Sequence, residues 1–160
     1  MSDTADLSPV ANKPLPDLSG RQIGDYRVLR RIGRGAMAEV YLAEQSSLAR
    51  QVALKILKST LAEDATYIRR FQNEARAAAA LVHANIVQIY EVGQLEGIHF
   101  IAQEYISGQN LRQLLDRHGP FEASLAVHVM RQAAAASQKS APKGIVTPEI
   151  KTANLTISSA

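Results

Sequence analysis

Apolar and polar residues alternate through three short runs, YRVLRRI from Tyr26, EVYLAEQ from Glu39 and QVALKIL from Gln51, each bounded by turn-forming residues. A two-residue period rich in β-branched and aromatic side chains marks a strand with one buried face, and short turns between such runs make them consecutive antiparallel neighbours. The period then changes. From about Ala62 to Val82 the apolar positions Ile68, Phe71, Ala75, Ala78 and Leu81 recur at steps of three and four, which predicts a helix with a single buried stripe. Two more apolar runs, NIVQIYEVG from Asn85 and IHFIAQEYI from Ile98, lie either side of Gln94, Leu95, Glu96 and Gly97 and predict a hairpin. Beyond Gly108 the pattern is helical again, with a short helix over Asn110 to Arg117 closed by Gly119 and Pro120, then a longer, alanine-rich one over Glu122 to Ser140.

Residues 1–25 carry Pro9, Pro14 and Pro16 among Ser, Asp and Asn, with no apolar period that could pack, and are expected to form a disordered leader. The remainder reads as an α+β unit: five antiparallel strands and one main helix over 26–106, then a helical part over 107–160. With 160 residues and 46% hydrophobic content, one ordinary core is available. The 18 basic and 15 acidic residues are interspersed and never form a block, which argues against a nucleic-acid partner. No apolar stretch approaches the roughly 18 residues of a membrane span, so no membrane segment is expected within the chain. The opening Ser2, Asp3, Thr4 and Asp6 are unlike a secretory signal. Cysteine is absent, which excludes disulfides and thiolate metal sites and fits a cytoplasmic location.

Candidate chemistry begins at IGRGAMAEVY, where Gly33 and Gly35 stand at the turn between two strands. Glycine there lets the backbone approach a ligand and turn N–H groups toward phosphate oxygens. A Walker loop would need Gly-Lys-Ser/Thr, and a Rossmann turn would open a helix, whereas EVYLAEQ is a strand. Strand, glycine turn, strand is the kinase arrangement, and an ordinary hairpin with glycines at its tip is the plain alternative. Lys55 lies inside QVALKIL, on the face opposite to Val52, Leu54 and Ile56. A lysine directed into the lobe needs an anion. Glu74, three residues after Phe71 and four before Ala78, sits at the edge of the helix's buried stripe and needs a cation. Pairing of the two beneath the glycine turn satisfies both and leaves the ammonium facing nucleotide phosphates. In isolation, Lys55 would be a snorkelling side chain and Glu74 a solvated one.

IGRGAMAEVYLAE, VALKIL, FQNEARAAAALVHANIVQIYEVG, HFIAQEYISGQNLRQLL and GIV…IK…N, in that order and spacing, resemble the eukaryotic-like Ser/Thr protein kinases of bacteria from Tyr26 to the end of the chain. The resemblance implies a kinase-like N-terminal lobe followed by an incomplete helical C-terminal lobe, with ATP and Mg²⁺ as cofactors and a protein substrate or regulatory partner that the sequence does not name. It implies that Ile32, Val40 and Ala53 roof the adenine and that Gly33, Arg34, Gly35 and Ala36 form the loop over the phosphates. Gln103 would be the gatekeeper, with the Glu104 carbonyl and the Ile106 amide reading the base. Lys55 would bind the α and β phosphates, held by Glu74. His83 and Asn85 match the family's loop between helix and fourth strand and carry a structural role. His99, His118 and His128 show no metal spacing and are expected at the surface or in packing.

The pattern departs from the family in the catalytic loop. Where the family has H-R-D-x-K-x-x-N, this chain has Thr147, Pro148, Glu149, Ile150, Lys151, Thr152, Ala153 and Asn154. Lys151 and Asn154 are retained, Asn154 as the expected magnesium ligand, and Glu149 replaces the catalytic aspartate with one extra methylene. A displacement of about 1 Å at a reacting centre can cost on the order of 100-fold in rate. Pro148 lacks an N–H and restricts Thr147, so the loop itself is expected to differ. No D-F-G or A-P-E follows, and the expectation is a partial domain with weak or no phosphate transfer, or a non-catalytic module of the same build. Ala38 replaces the third glycine, which a hairpin accepts at negative φ, and Thr156 replaces an aliphatic residue under the adenine. In the family the helix over 122–140 packs on lower-lobe segments beyond these residues, so its apolar face is expected to be exposed here.

Overall fold

The computed structural model describes residues 16–140 and 152–158. In chain order the elements are β1 (Gln22–Ile23), β2 (Tyr26–Arg34), β3 (Ala38–Gln45), β4 (Arg50–Leu57), α1 (Ala65–Ala79), β5 (Ile89–Leu95), β6 (Ile98–Glu104), β7 (Gly108–Asn110), α2 (Leu111–His118), α3 (Ala123–Ser140) and β8 (Thr156–Ser158). The first six strands form one antiparallel sheet in the order β1-β2-β3-β4-β6-β5, and β7 and β8 form a separate two-stranded sheet.

Strand alternation divides the core in two. One face gathers Tyr26, Val28, Tyr41, Ala43, Val52, Leu54, Ile56, Phe100 and Ala102. The other gathers Ala38, Leu57 and Ile101 against Phe71 and Ala75 of α1. Tyr26 of β2 meets Phe100 of β6 edge to face at 5.6 Å although two strands lie between them, so the sheet curls strongly about its first face. The β5–β6 hairpin turns on Glu96 and Gly97, both at positive φ (49° and 79°), as a two-residue primed turn requires.

Local chemistry sets the helix ends. Asp64 caps α1 by accepting from the Thr66 N–H at 2.7 Å. Asn110 and Gln113 satisfy each other's backbone N–H groups in a capping box that opens α2. The helices therefore begin one to three residues inside the sequence-based ranges.

Two expectations are corrected. The sheet has six strands, because Gln22 and Ile23 pair with Arg27 and Tyr26 inside the supposed leader. Ile23 is buried and Leu18 packs on the same core, two isolated apolar residues too few to show a period. Residues 1–15 of the supposed leader lie outside the described residues. The β7–β8 pair was also not anticipated. Gly108 makes it possible: a Cβ there would stand 2.0 Å from the Ile157 carbonyl oxygen. The Leu111 N–H donates to the Leu155 carbonyl at 2.7 Å and ties the same segments together.

Candidate functional site

Two transverse rows of the sheet place the expected site residues. In the first, Gly33 pairs with Val40, Val40 with Lys55, and Lys55 with Ile101. In the second, Leu42 pairs with Ala53, and Ala53 with Gln103. Directly opposed residues share a face, so Val40, Lys55, Ala53 and Gln103 all project from the side covered by α1. The rows are two residues apart along β4, about 7 Å. Ile32 falls within a register shift between Arg31 and Gly33, which leaves it outside the ladder and 38% exposed at the sheet's end.

The glycine turn is closed by its own backbone: the Gly35 N–H donates to the Ala38 carbonyl at 2.8 Å. That N–H is thus engaged within the turn rather than open to a ligand. Ala38 has negative φ and is buried, so the hairpin takes alanine in place of the third glycine without strain. Arg34 reaches back to Glu39 at 3.5 Å, while Ala36 is exposed at the tip. Glu39, to which sequence reasoning gave no role, is buried and also accepts from the Tyr41 hydroxyl at 2.7 Å and from Arg31 at 3.4 Å. It braces the base of the turn from the opposite face of the sheet. Its only sequence signal was a charged residue in an otherwise apolar strand start.

Lys55 Nζ stands 3.1 Å from Glu74 Oε1 and 5.8 Å from the centre of the Phe71 ring. The lysine side chain is 28% exposed and the glutamate 62%. The pair therefore sits at the surface. This corrects the picture of two charges directed into the interior: Phe71 and Ala75 take the buried positions of α1, and Glu74, between them in sequence, turns outward.

Farther along β6, the Glu104 N–H donates to the Gln88 carbonyl at 2.8 Å, and its carboxylate accepts from the Gln88 N–H at 3.1 Å. This double clamp fixes the end of β6, where the chain leaves toward Ile106. Sequence reasoning missed it, because Gln88 carries no motif of its own. The loop after α1 is stitched by the Asn85 N–H to His83 Nδ1 at 3.1 Å, and it reaches α3 through Asn85 Nδ2 to the Gln132 carbonyl at 3.3 Å. His118 and His128 are exposed and His99 is buried, its Nδ1 without a hydrogen-bond partner among the described residues. Asn154 lies in a short 3₁₀ turn, Thr152–Asn154, packed beside α2, and Thr156 in β8 is exposed. Thr147, Pro148, Glu149 and Lys151 lie outside the described residues. Among the described residues no three His, Cys, Asp or Glu side chains are grouped as a metal site, and no helix is long and apolar enough to cross a membrane.

On the α1 face of the sheet, Val40 and Ala53 thus present an apolar surface with an ammonium at one end and a firmly held chain segment at the other. Such an arrangement suits a flat heterocycle that carries anionic groups.

Comparison with known proteins agrees with this fold. The chain is 42% identical over 141 residues to serine/threonine-protein kinase PrkC of Bacillus subtilis, which covers 88% of this chain and 22% of that one. It is 37% identical over 138 residues to serine/threonine-protein kinase PknD of Mycobacterium tuberculosis, covering 86% and 21%. The solved PknI kinase domain of M. tuberculosis superposes with a TM-score of 0.74 at 29% identity, covering 89% of this chain and 57% of that domain. The chain thus spans about a fifth of the length of these relatives and a little over half of a solved kinase domain. Residues 26–160 match the protein kinase domain, and the chain belongs to that family.

Proposed function

We propose that this chain binds ATP between the glycine turn and the segment after β6, and that within a complete kinase domain the γ-phosphate passes to a protein serine or threonine. One observation carries the reading: Lys55, in the same sheet row as Gly33, meets Glu74 of α1 at 3.1 Å. In this reading Ile32, Val40 and Ala53 cover the base, and the Glu104 carbonyl and Ile106 amide bond its edge. Gly33, Arg34, Gly35 and Ala36 lie over the phosphates. Lys55 neutralises the α and β phosphates, and Glu74 aims the ammonium. Glu149 would orient the substrate hydroxyl and Lys151 would face the transferred group.

The described residues do not by themselves make a magnesium site. Asn154 offers a single amide oxygen, and Mg²⁺ ordinarily binds through one or two carboxylates together with substrate phosphates. Magnesium, when bound, would neutralise charge on the phosphates, and Asn154 is the described residue assigned to it. A cytoplasmic site, where ATP is available, fits the cysteine-free composition.

Glu149 in place of the family's aspartate supports a second reading, a nucleotide-binding regulatory module that transfers no phosphate. Thermal unfolding with and without ATP and magnesium tests both. Ligand at about 100 times its dissociation constant should stabilise the chain by about 2.7 kcal/mol, and the absence of any shift would refute both readings. Phosphate transfer to a generic basic protein, abolished by Glu149→Ala, selects the enzyme. Binding without transfer selects the module.

A further inference from the structure

Gln103 is held firmly by its backbone, while among the described residues nothing bonds its side chain. It pairs with Ala53 on one side and Ile89 on the other, and the next residue is the doubly clamped Glu104. Its carboxamide is half-buried and makes no hydrogen bond among the described residues. The cross-strand pairing with Ala53 puts it on the Lys55 face, one step nearer the segment proposed to bond the base.

We propose that the Gln103 carboxamide bonds the substituent at position 6 of the bound purine, and that its freedom to turn lets the site take guanine as well as adenine nucleotides. This inference rests on the nucleotide-binding reading above. Adenine presents an amine donor at position 6, and guanine a carbonyl acceptor. An aliphatic side chain at residue 103 could serve neither, and it would leave the guanine oxygen facing the Glu104 carbonyl with no donor to separate them. A carboxamide carries an acceptor and a donor on one rotor. In most sites neighbouring hydrogen bonds decide which of the two faces a ligand. Here no such neighbour is present among the described residues, and the terminal torsion of glutamine is broad and nearly two-fold. Oε1 can therefore accept from the adenine amine, or Nε2 can donate to the guanine oxygen at little rotational cost, with the Glu104 carbonyl then accepting from the guanine N1–H that stands in place of adenine's N1 acceptor.

The test is displacement of a fluorescent ATP analogue from the 160-residue chain by ATP and by GTP, for the natural protein and for Gln103→Leu and Gln103→Met. The expected result is GTP within about tenfold of ATP for the natural chain, and a loss of GTP affinity of at least about tenfold in both variants, because the guanine oxygen is then left unpaired. ATP should lose affinity too, by a clearly smaller factor than GTP, since the backbone at 104 and 106 still serves the adenine edge. GTP weaker than ATP by more than about tenfold in the natural chain overturns the inference and leaves ATP binding standing, as do variants that weaken both nucleotides equally. Failure of the analogue itself to bind overturns the nucleotide reading and this inference together. Unchanged melting temperatures in the absence of ligand show that the variants are folded, and the natural chain's own ATP-to-GTP ratio decides the question should they not be.

Discussion

Lys55 and Glu74 share a 3.1 Å ion pair but not an environment: the lysine is 28% exposed above Phe71, while the glutamate, at 62%, stands largely in water. A pair so solvated is screened and adds about 0–1 kcal/mol to stability. What holds α1 to the sheet is the burial of Phe71 and Ala75 against Ala38, Leu57 and Ile101. The ion pair thus positions a charge without anchoring the helix.

Lys55→Met should accordingly separate binding from stability. Nucleotide affinity is expected to fall at least about tenfold, while the unfolding free energy changes by less than about 1 kcal/mol. Urea melts give the second quantity, and the ATP-induced rise in melting temperature gives the first. A stability loss of about 3 kcal/mol or more, the mark of a broken buried pair, would contradict the exposed geometry.

Phe71→Ala should do the opposite. Phe71 is 1% exposed and central to the α1 contact, and emptying such a position costs about 3–5 kcal/mol. The variant should unfold at markedly lower urea and bind ATP weakly even where still folded, because the seat of Glu74 has moved. A loss below about 1 kcal/mol would show that α1 is held by something else.

These contrasts indicate what the sequence could and could not reveal. The two-residue period over β4 made the side of the sheet that Lys55 faces legible from Val52, Leu54 and Ile56 alone, whereas the register with β3 came only from the fold. The α1 stripe was legible too, but helical spacing places Glu74 only to within about 100° around the axis, too coarse to tell a buried edge from a solvated one. Features carried by short runs left no periodic trace. The β1 edge, the Gln88–Glu104 clamp and the β7–β8 pair each depend on two segments meeting, and each involves runs too short to show alternation.

Gly108→Ala tests the last of these. The added methyl would meet the Ile157 carbonyl oxygen at 2.0 Å and its carbon at 2.9 Å, and both are backbone atoms that cannot turn away. Separation of β8 from β7 is expected, at a cost of about 1–3 kcal/mol, with faster amide exchange within β7 and β8, the Asn110 N–H aside because Gln113 holds it. Native exchange rates in the variant would refute the pairing.

Alkaline pH should weaken the fold through two phenols. Burial, and then donation to Glu91, pushes the Tyr26 hydroxyl well above its ordinary value of 10.0. Burial and donation to Glu39 push Tyr41 the same way. The unfolded chain therefore gives up these protons first. Their stabilising contribution is complete below about pH 10 and is lost as pH rises further. Urea midpoints measured at intervals from about pH 8 to pH 11 should be level at first and then decline, and Tyr26→Phe should make the decline shallower. An unchanged alkaline slope in that variant would remove Tyr26 from the account.

The apolar side of α3 is open, as expected from the sequence: Val127 is 57% exposed, Met130 62% and Leu125 45%. Val127 and Met130, three residues apart, share one face of the helix, so their exposed area is contiguous. An exposed apolar face of this kind favours association, because each copy removes apolar surface from water at about 25 cal/mol per Å². The 160-residue chain is therefore expected to sediment as dimers or larger species at tens of micromolar, and the Val127→Glu, Met130→Lys double variant as a monomer with the same circular dichroism. The new charges lie three residues apart with the acidic one first, an arrangement that supports the helix rather than breaking it, so a change in mass would report on the surface and not on the fold. A natural chain that is monomeric at that concentration would show that exposure of α3 alone is too small to drive self-association.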